Sequence, residues 1–420
     1  MSPLDLERLR NNRLLHRVWS GLGRPDGHVV GGFVRDSLLG LATTDLDLSL
    51  PGDAAAVAAA ARRLAEELGT REHLLGKPPR CVWRIETGDL KVDLWPLGEL
   101  TLDQDPLRRD FACNALAWTL PEGPLIDSVA GLDDLRHRRL RAISPDNLIR
   151  DPLRLLRGPR FVATLPGFEL EARTTRWIRQ LSHRLTDTPR ERIGYELGQL
   201  VCGPSFATGL TRVIDLGLVK PTAPTGVVPD TQWLRCSILA ADLLANSRRH
   251  PVPSAVHDGG EAARLALFVR AWHPVRDEQL ADYGWPRDLR RGASRAARLI
   301  DAARTAVEAP IADRRELIHT AGPDFAAVLA ASAALHPEPR HAWRRWWRLW
   351  RTRGDTLIQP APLLSPAEIC RLAGIEPGPA LGELIAGLRR AQLRRVIRSP
   401  AGARRWIMRR STPELPSATG

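Results

Sequence analysis

The sequence predicts an α+β protein, with a small head of short β-rich runs and helices followed by a long all-helical remainder. Three observations carry this expectation. Residues 28 to 118 switch between strand-like and helical patterning, the chain from about residue 150 onward follows the 3.6 period, and 420 residues suffice for two or three domains with a sizeable core.

Taken in order, the head opens with the run HVVGG, then FVRDSLLG, then DLDLSL, then an alanine-rich helix from about 53 to 68. CVWRIE and LKVDLW follow, close enough across Thr87-Gly88-Asp89 to read as a hairpin with a tight turn. Beyond residue 150, Leu/Ala/Arg segments are separated by Pro/Gly breaks near 165–167, 221–229, 251–260 and 354–362, so that part is expected to hold helix and loop only. The apolar run Ala54 to Ala61 is far too short to span a bilayer, and the amphipathic N-terminus has no apolar leader core. A cytoplasmic protein without a membrane partner is expected. Cysteines 81, 113, 202, 236 and 370 show no CxxC pairing, which predicts free thiols and no structural zinc.

Sixty-one basic residues against 48 acidic ones leave a net charge of +13, and all the basic ones except Lys77, Lys91 and Lys220 are arginine. Such a surface favours polyanions, although a GC-rich genome would also enrich arginine.

Asp45 and Asp47 stand at i and i+2 of a strand, so their carboxylates leave the same face, ~6.6 Å apart along the backbone. That spacing lets both reach one divalent cation, and Asp93 is placed to join them from a neighbouring strand. Just upstream a strand ends in Gly31-Gly32 and a helix starts at once, with Arg35 and Asp36 one turn in. Glycines let an anion approach the backbone, and a helix N-terminus offers unpaired N–H donors, so this reads as a phosphate seat. Asp151, Arg154, Arg157 and Arg160 recur every third residue and form a charged stripe beside Leu153, Leu155, Leu156, Phe161 and Val162, bordering a core wall. The plain alternative for such a stripe is a solvated helix face.

The stretch GGFVRDSLLGLATTDLDLSL resembles the class II tRNA nucleotidyltransferase and bacterial poly(A) polymerase family, whose signature is GGxVRDxLLG, a short loop, then DxD. Further motifs follow in the family's order across nearly the whole chain. RRDFACNALA (108–117) is similar to its RRDFTxNALA element, LIDSVAGLDDLRHRRLRAI to its connector, and DPLRLLRGPRF (151–161) to its DxLRxLRxxRF helix. PRERI with Glu196-Leu197 resembles its ERxxxEL helix, and the segment PLLSPAEICRLAGIEPGPALGEL is similar to one seen in many bacterial members.

The resemblance implies a small mixed-sheet nucleotidyltransferase head followed by helical neck, body and tail, expected at residues 1–140, 141–225, 226–355 and 356–420. It implies addition of C and/or A to the 3′ end of tRNA, with CTP and ATP as donors, the acceptor arm as partner and Mg²⁺ as cofactor. Asp45 and Asp47 would hold the metal, with Asp93 assisting. Gly31, Gly32, Arg35, Arg109, Arg157 and Arg160 would meet the triphosphate and sugar, Asp110 and Asn114 would shape the ribose site, and Asp151 with Arg154 would act as an amino-acid template for the base. A poly(A) polymerase is the alternative within the family, and a catalytically silent RNA-binding protein the alternative of another class.

The chain departs from the pattern at Ala112-Cys113, at Arg150 and at Gly158-Pro159, where a helix kink that shifts Arg160 is expected. It also lacks the FGT-type sequence before Asp93. In the region where some members carry a metal-binding His-Asp pair it reads Arg270-Ala271-Trp272, and His257-Asp258 is expected in an exposed loop. Trp343, Trp346, Trp347 and Trp350 recur at helical spacing and are expected in the core. Nine arginines and no acid between Leu384 and Pro413 suit RNA phosphates.

Overall fold

The computed structural model describes residues 5–76, 81–97, 106–273, 275 and 277–411. Its contacts divide the chain into two units, Met1–Pro189 with Asp215–Thr222, and Arg190–Ile214 with Ala223–Gly420.

The first unit is built on one seven-stranded sheet. Its strands are β1 (His28–Val30), β2 (Asp45–Leu50), β3 (Glu72–Leu75), β4 (Val82–Thr87), β5 (Leu90–Pro96), β6 (Ala117–Thr119) and β7 (Leu125–Ile126), in spatial order β3-β4-β5-β2-β1-β6-β7. Neighbours are antiparallel except β2 and β5, which run parallel, so the sheet is mixed. The predicted hairpin is β4–β5: Thr87 pairs with Leu90 across Gly88-Asp89, and Gly88 takes the left-handed φ of +55° that this tight turn needs.

Alternation along β2 sends Leu46, Leu48 and Leu50 into the core and leaves Asp45 and Asp47 on the other side. The alanine-rich helix Ala54–Glu67 starts where Asp53 accepts a hydrogen bond from Ala56 N–H at 2.9 Å, and packs Val57, Ala61, Leu64 and Ala65 against β4 and β5. The helix Gly32–Leu39 lies on β1 and β2 and ends at Gly40, φ +71°.

Two expectations for the neck are corrected. Asp151 is not in the charged helix: it caps the C-terminus of the helix Pro145–Arg150 in extended conformation, and the next helix, Arg154–Thr164, begins three residues later. Pro152 explains the gap, since it disfavours helical backbone at the residue before it. Gly158-Pro159 does not interrupt that second helix, which runs through both residues. A Cβ on Gly158 would lie 3.0 Å from Ile178 Cδ1, so the glycine serves close packing. Residues after 150 are also not purely helical, because Glu169–Leu170 pairs in parallel with Arg139–Leu140.

The second unit is helical. The helices Pro253–Ala271, Arg287–Ala306 and Phe325–Leu335 pack on one another, and the last is buried on every side from Phe325 to Ala334. His257-Asp258 lies within the first of these helices and not in a loop, although both side chains are exposed. The adjacent glycines permit contact here: a Cβ on Gly259 would stand 2.4 Å from Ala327 N. Trp272 stacks on Tyr283 and Trp285 at 5.4 and 6.3 Å. Trp343 and Trp346 are core residues, while Trp347 and Trp350 are half-buried. The last three helices, Pro366–Ala373, Pro379–Leu393 and Pro400–Ser411, enclose a small core of their own around Ile369, Leu388, Ile397 and Ile407.

Candidate active site

Pairing across β2 and β5 sets Asp47 opposite Asp93 and Asp45 opposite Lys91, and pairing across β4 and β5 sets Arg84 opposite Asp93. The predicted acids therefore share one face, with Asp45 and Asp93 each opposite a cation and Asp47 opposite Asp93. Arg84 grips Asp93 with two hydrogen bonds of 2.8 and 2.7 Å, and Lys91 Nζ lies 2.9 Å from Asp45 and 3.8 Å from Asp93. Burial pushes the Asp47 carboxyl up to about 6, against the pull of Arg109. Asp45 and Asp47 fit a divalent cation, being hard oxygen donors on one strand face with Asp47 disfavoured as a bare charge. Among the described residues no group of three metal-ligating side chains gathers, so the fit rests on these two.

Gly31 closes the other wall. Its φ of +78° is a glycine conformation, and a Cβ there would meet Arg109 Nη1 at 2.9 Å and Asp47 Oδ2 at 3.4 Å. One turn into the following helix, Arg35 is buried and held by Asp36 through two 2.8 Å bonds and by Asn114 Oδ1 at 2.5 Å. Asn114 Nδ2 donates in turn to Asp110 Oδ1 at 3.1 Å, and Arg157 Nε stands 3.1 Å from Asp110 Oδ2. Burial opposes charge on Asp110, yet Arg157 and the hydrogen bonds from Asn114 and Phe111 N–H hold its carboxyl below the usual range. A continuous chain thus runs Asp36, Arg35, Asn114, Asp110, Arg157, buried through its middle three members and half-buried at both ends.

Arg154 Nε lies 3.8 Å from Asp151 Oδ2, and its Nη1 donates to Arg108 O at 2.7 Å. The two predicted template residues face each other although only one is helical. Arg160 lies over the Phe161 ring. All the predicted site residues fall in the first unit. Sequence reasoning missed Arg84 and Lys91 as partners of the acids, and Asn147, whose Nδ2 donates to Leu107 O and Arg109 O and so fixes the backbone at Arg109. The alternation of Lys91 with Asp93 was the available signal.

Residues 27–141 match the family model of the poly A polymerase head domain, and residues 167–226 that of a probable RNA and SrmB-binding site of polymerase A. The chain is 31% identical to the A-adding tRNA nucleotidyltransferase of Deinococcus radiodurans, over 92% of this chain and 95% of that one. It belongs to the tRNA nucleotidyltransferase family. It is also 30% identical to the CC-adding tRNA nucleotidyltransferase of Thermus thermophilus, over 91% of this chain and 93% of the relative. The crystal structure of the Bacillus stearothermophilus CCA-adding enzyme in complex with CTP shares the fold, with a TM-score of 0.71 at 21% identity over 96% of this chain and 97% of that one. The chain is accordingly a nucleotidyltransferase with an α+β head, of a family that depends on metal in general. No helix of this nucleotidyltransferase, among the described residues, is long and apolar enough to cross a membrane.

Proposed function

We propose that this enzyme extends the 3′ end of tRNA with C and/or A, without a nucleic-acid template, taking CTP and ATP and releasing pyrophosphate. The observation that carries the reading is the face shared by Asp45 and Asp47 beside Gly31 and Arg109, on a chain alike over nearly its full length to A-adding and CC-adding enzymes.

In this reading the backbone at Gly31 and Gly32, with Arg35, Arg109, Arg157 and Arg160, binds the triphosphate and orients it. Asp110 and Asn114 shape the ribose site by holding Arg157 and Arg35. Asp151 accepts from the exocyclic amine of cytosine or adenine while Arg154 donates to ring acceptors, so uracil and guanine present the wrong polarity. The RNA 3′-hydroxyl loses its proton to solvent as its oxygen attacks the α-phosphorus, a bond forms there to oxygen, and the bond to pyrophosphate breaks. Asp45 and Asp47 would hold Mg²⁺, which when bound would neutralise phosphate charge and favour the ionised hydroxyl. Asp93, clamped by Arg84, lines the same face and assists by position. Residues 1–140 act as catalytic head, 141–225 as the base-selecting neck, and 226–355 and 356–420 as the body and tail that grip the acceptor arm in the cytoplasm.

The deciding experiment offers tRNAs ending in the discriminator base, in C and in CC, each with CTP alone and ATP alone. Incorporation in at least one arm, stopping at the matching position, supports the reading and states whether CC, A or CCA is added. Open-ended extension of an unstructured oligonucleotide with ATP would identify a poly(A) polymerase instead, and no metal-dependent incorporation a silent RNA-binding protein.

A further inference from the structure

Phe161 has 1% of its surface exposed and meets Phe111 edge-on at 5.6 Å, the setting of an ordinary core aromatic. Three guanidiniums nevertheless converge on its ring: Arg160 at 3.7 Å from the centroid, Arg35 at 5.0 Å and Arg157 at 5.4 Å. Helix geometry accounts for one of them, since Arg157 lies four residues before Phe161 on the same helix face. Arg160 directly precedes Phe161 and leaves the helix about 100° away, so its side chain folds back to reach the ring. Arg35 arrives from a different helix.

Like charges gathered this closely repel, and a core residue chosen only for volume would not offset that. An aromatic ring does, because the negative face of its quadrupole attracts each guanidinium without consuming a hydrogen-bond donor. Arg35 and Arg157 thus meet the ring while their donors engage Asp36, Asn114 and Asp110.

We propose that Phe161 is a positioning residue for nucleotide binding: its ring gathers Arg35, Arg157 and Arg160 into a preformed seat for the triphosphate. This rests on the assignment of those arginines to the triphosphate. Arginines already in place lose less conformational freedom when the anion arrives, so the ring acts on affinity more than on the chemical step.

The test replaces Phe161 in the full chain by phenylalanines carrying one, two and three ring fluorines, which drain the quadrupole while nearly preserving shape, and adds Phe161→Tyr and Phe161→Leu. Calorimetry measures binding of inorganic tripolyphosphate and of CTP, and thermal unfolding is recorded for each variant. Tripolyphosphate affinity is expected to fall stepwise with fluorination, to about tenfold weaker at three fluorines, with an unchanged unfolding midpoint. KM for the nucleotide rises in parallel while kcat at saturation stays near wild type, and Phe161→Tyr restores both. A flat fluorine series overturns the proposal, whatever Phe161→Leu does to stability. Arg35→Ala and Arg160→Ala test the underlying assignment: if they bind tripolyphosphate as wild type does, the triphosphate sits elsewhere and the proposal falls with it. If they weaken binding and the fluorine series is flat, the arginine seat stands and Phe161 alone is excluded.

Discussion

Arg35, Asp93, Asp110 and Asp134 are buried in the sheet-bearing unit, each beside an opposite charge, whereas comparable depth in the helical unit is filled by Ala263, Leu267, Phe325, Ala330 and Trp343, with Glu196 and Arg315 the buried charged exceptions. The two units solve different problems. Apolar packing stabilises a fold directly, while buried ion pairs return little net stability after desolvation and serve to fix geometry. The helical unit is therefore expected to respond to changes of volume, and the sheet unit to changes of charge.

The largest expected effect lies in the sheet unit. Asp45→Ala and Asp47→Ala should each lower incorporation by roughly a thousandfold or more, as losing a metal clamp costs several kcal/mol of barrier. Affinity for tRNA, measured by filter binding, should stay within a few-fold. Either variant retaining more than a few per cent of activity would remove its carboxylate from the reaction.

The proposed RNA grip is next. Arg394 is engaged by Asp313 and Glu316, and Arg404 by Glu368, so not every arginine of the tail faces outward unencumbered. Truncation there would also remove Leu388, Ile397 and Ile407 from a small core, so charge substitution is the cleaner probe. Replacing the exposed Arg395, Arg398, Arg405 and Arg409 by Gln should weaken tRNA binding at least tenfold and flatten log K against log salt, each lost contact removing ~0.7–0.9 from the slope. An unchanged slope would show that these side chains do not touch phosphate.

Asp151→Ala should shift selectivity. Misincorporation of UTP or GTP relative to CTP or ATP is expected to rise by roughly tenfold, a change of only about 1.4 kcal/mol. Equal loss for all four nucleotides would make Asp151 a structural cap.

Volume governs the next comparison. Gly259→Ala places a methyl against Ala327 N and should cost ~1–3 kcal/mol in the unfolding of the helical unit while leaving CTP affinity unchanged. Altered CTP affinity at constant stability would contradict that division.

The smallest effect concerns His250, buried in the helical unit with Nε2 2.9 Å from Ala330 O and Nδ1 2.9 Å from Val252 N. Burial lowers its pKa below the ordinary 6.5. The unfolded chain then takes up the proton first as pH falls, so stability is held above about 6.5 and declines from there down to the folded value, by at most ~1.4 kcal/mol per pH unit. Denaturant midpoints at pH 7.5 and 5.5 should differ less in His250→Gln than in wild type, and equal differences would show that the ring titrates normally.

Much of the site was legible because strand alternation and turn chemistry are local. Asp45 and Asp47 could be placed on one face from spacing alone, and Gly88 announced the hairpin. What escaped was fixed by partners distant in the chain. Arg84 and Lys91 meet the acids through strand register, and the local alternation of Lys91 with Asp93 does not by itself say which strand lies alongside. β3 was missed because Leu74 and Leu75 are both exposed on an edge strand, leaving no alternation to read. In the sequence Gly259 reads as part of a break because glycine lowers helix propensity, whereas in the fold it makes room for a neighbouring helix. The end of the arginine-bearing segment, residues 412–413, lies outside the described residues.

The parallel pairing of β2 with β5 also bears on when the enzyme becomes competent. Asp45 and Lys91 are 46 residues apart in sequence, with the helix Ala54–Glu67 and strands β3 and β4 between them. Closing so long a loop is entropically unfavourable until the intervening elements have docked, and parallel pairing of distant strands is slow for that reason. On a growing chain Lys91 and Asp93 therefore join Asp45 and Asp47 only after β5 has left the ribosome, and the charged face is completed late, as a property of the finished sheet.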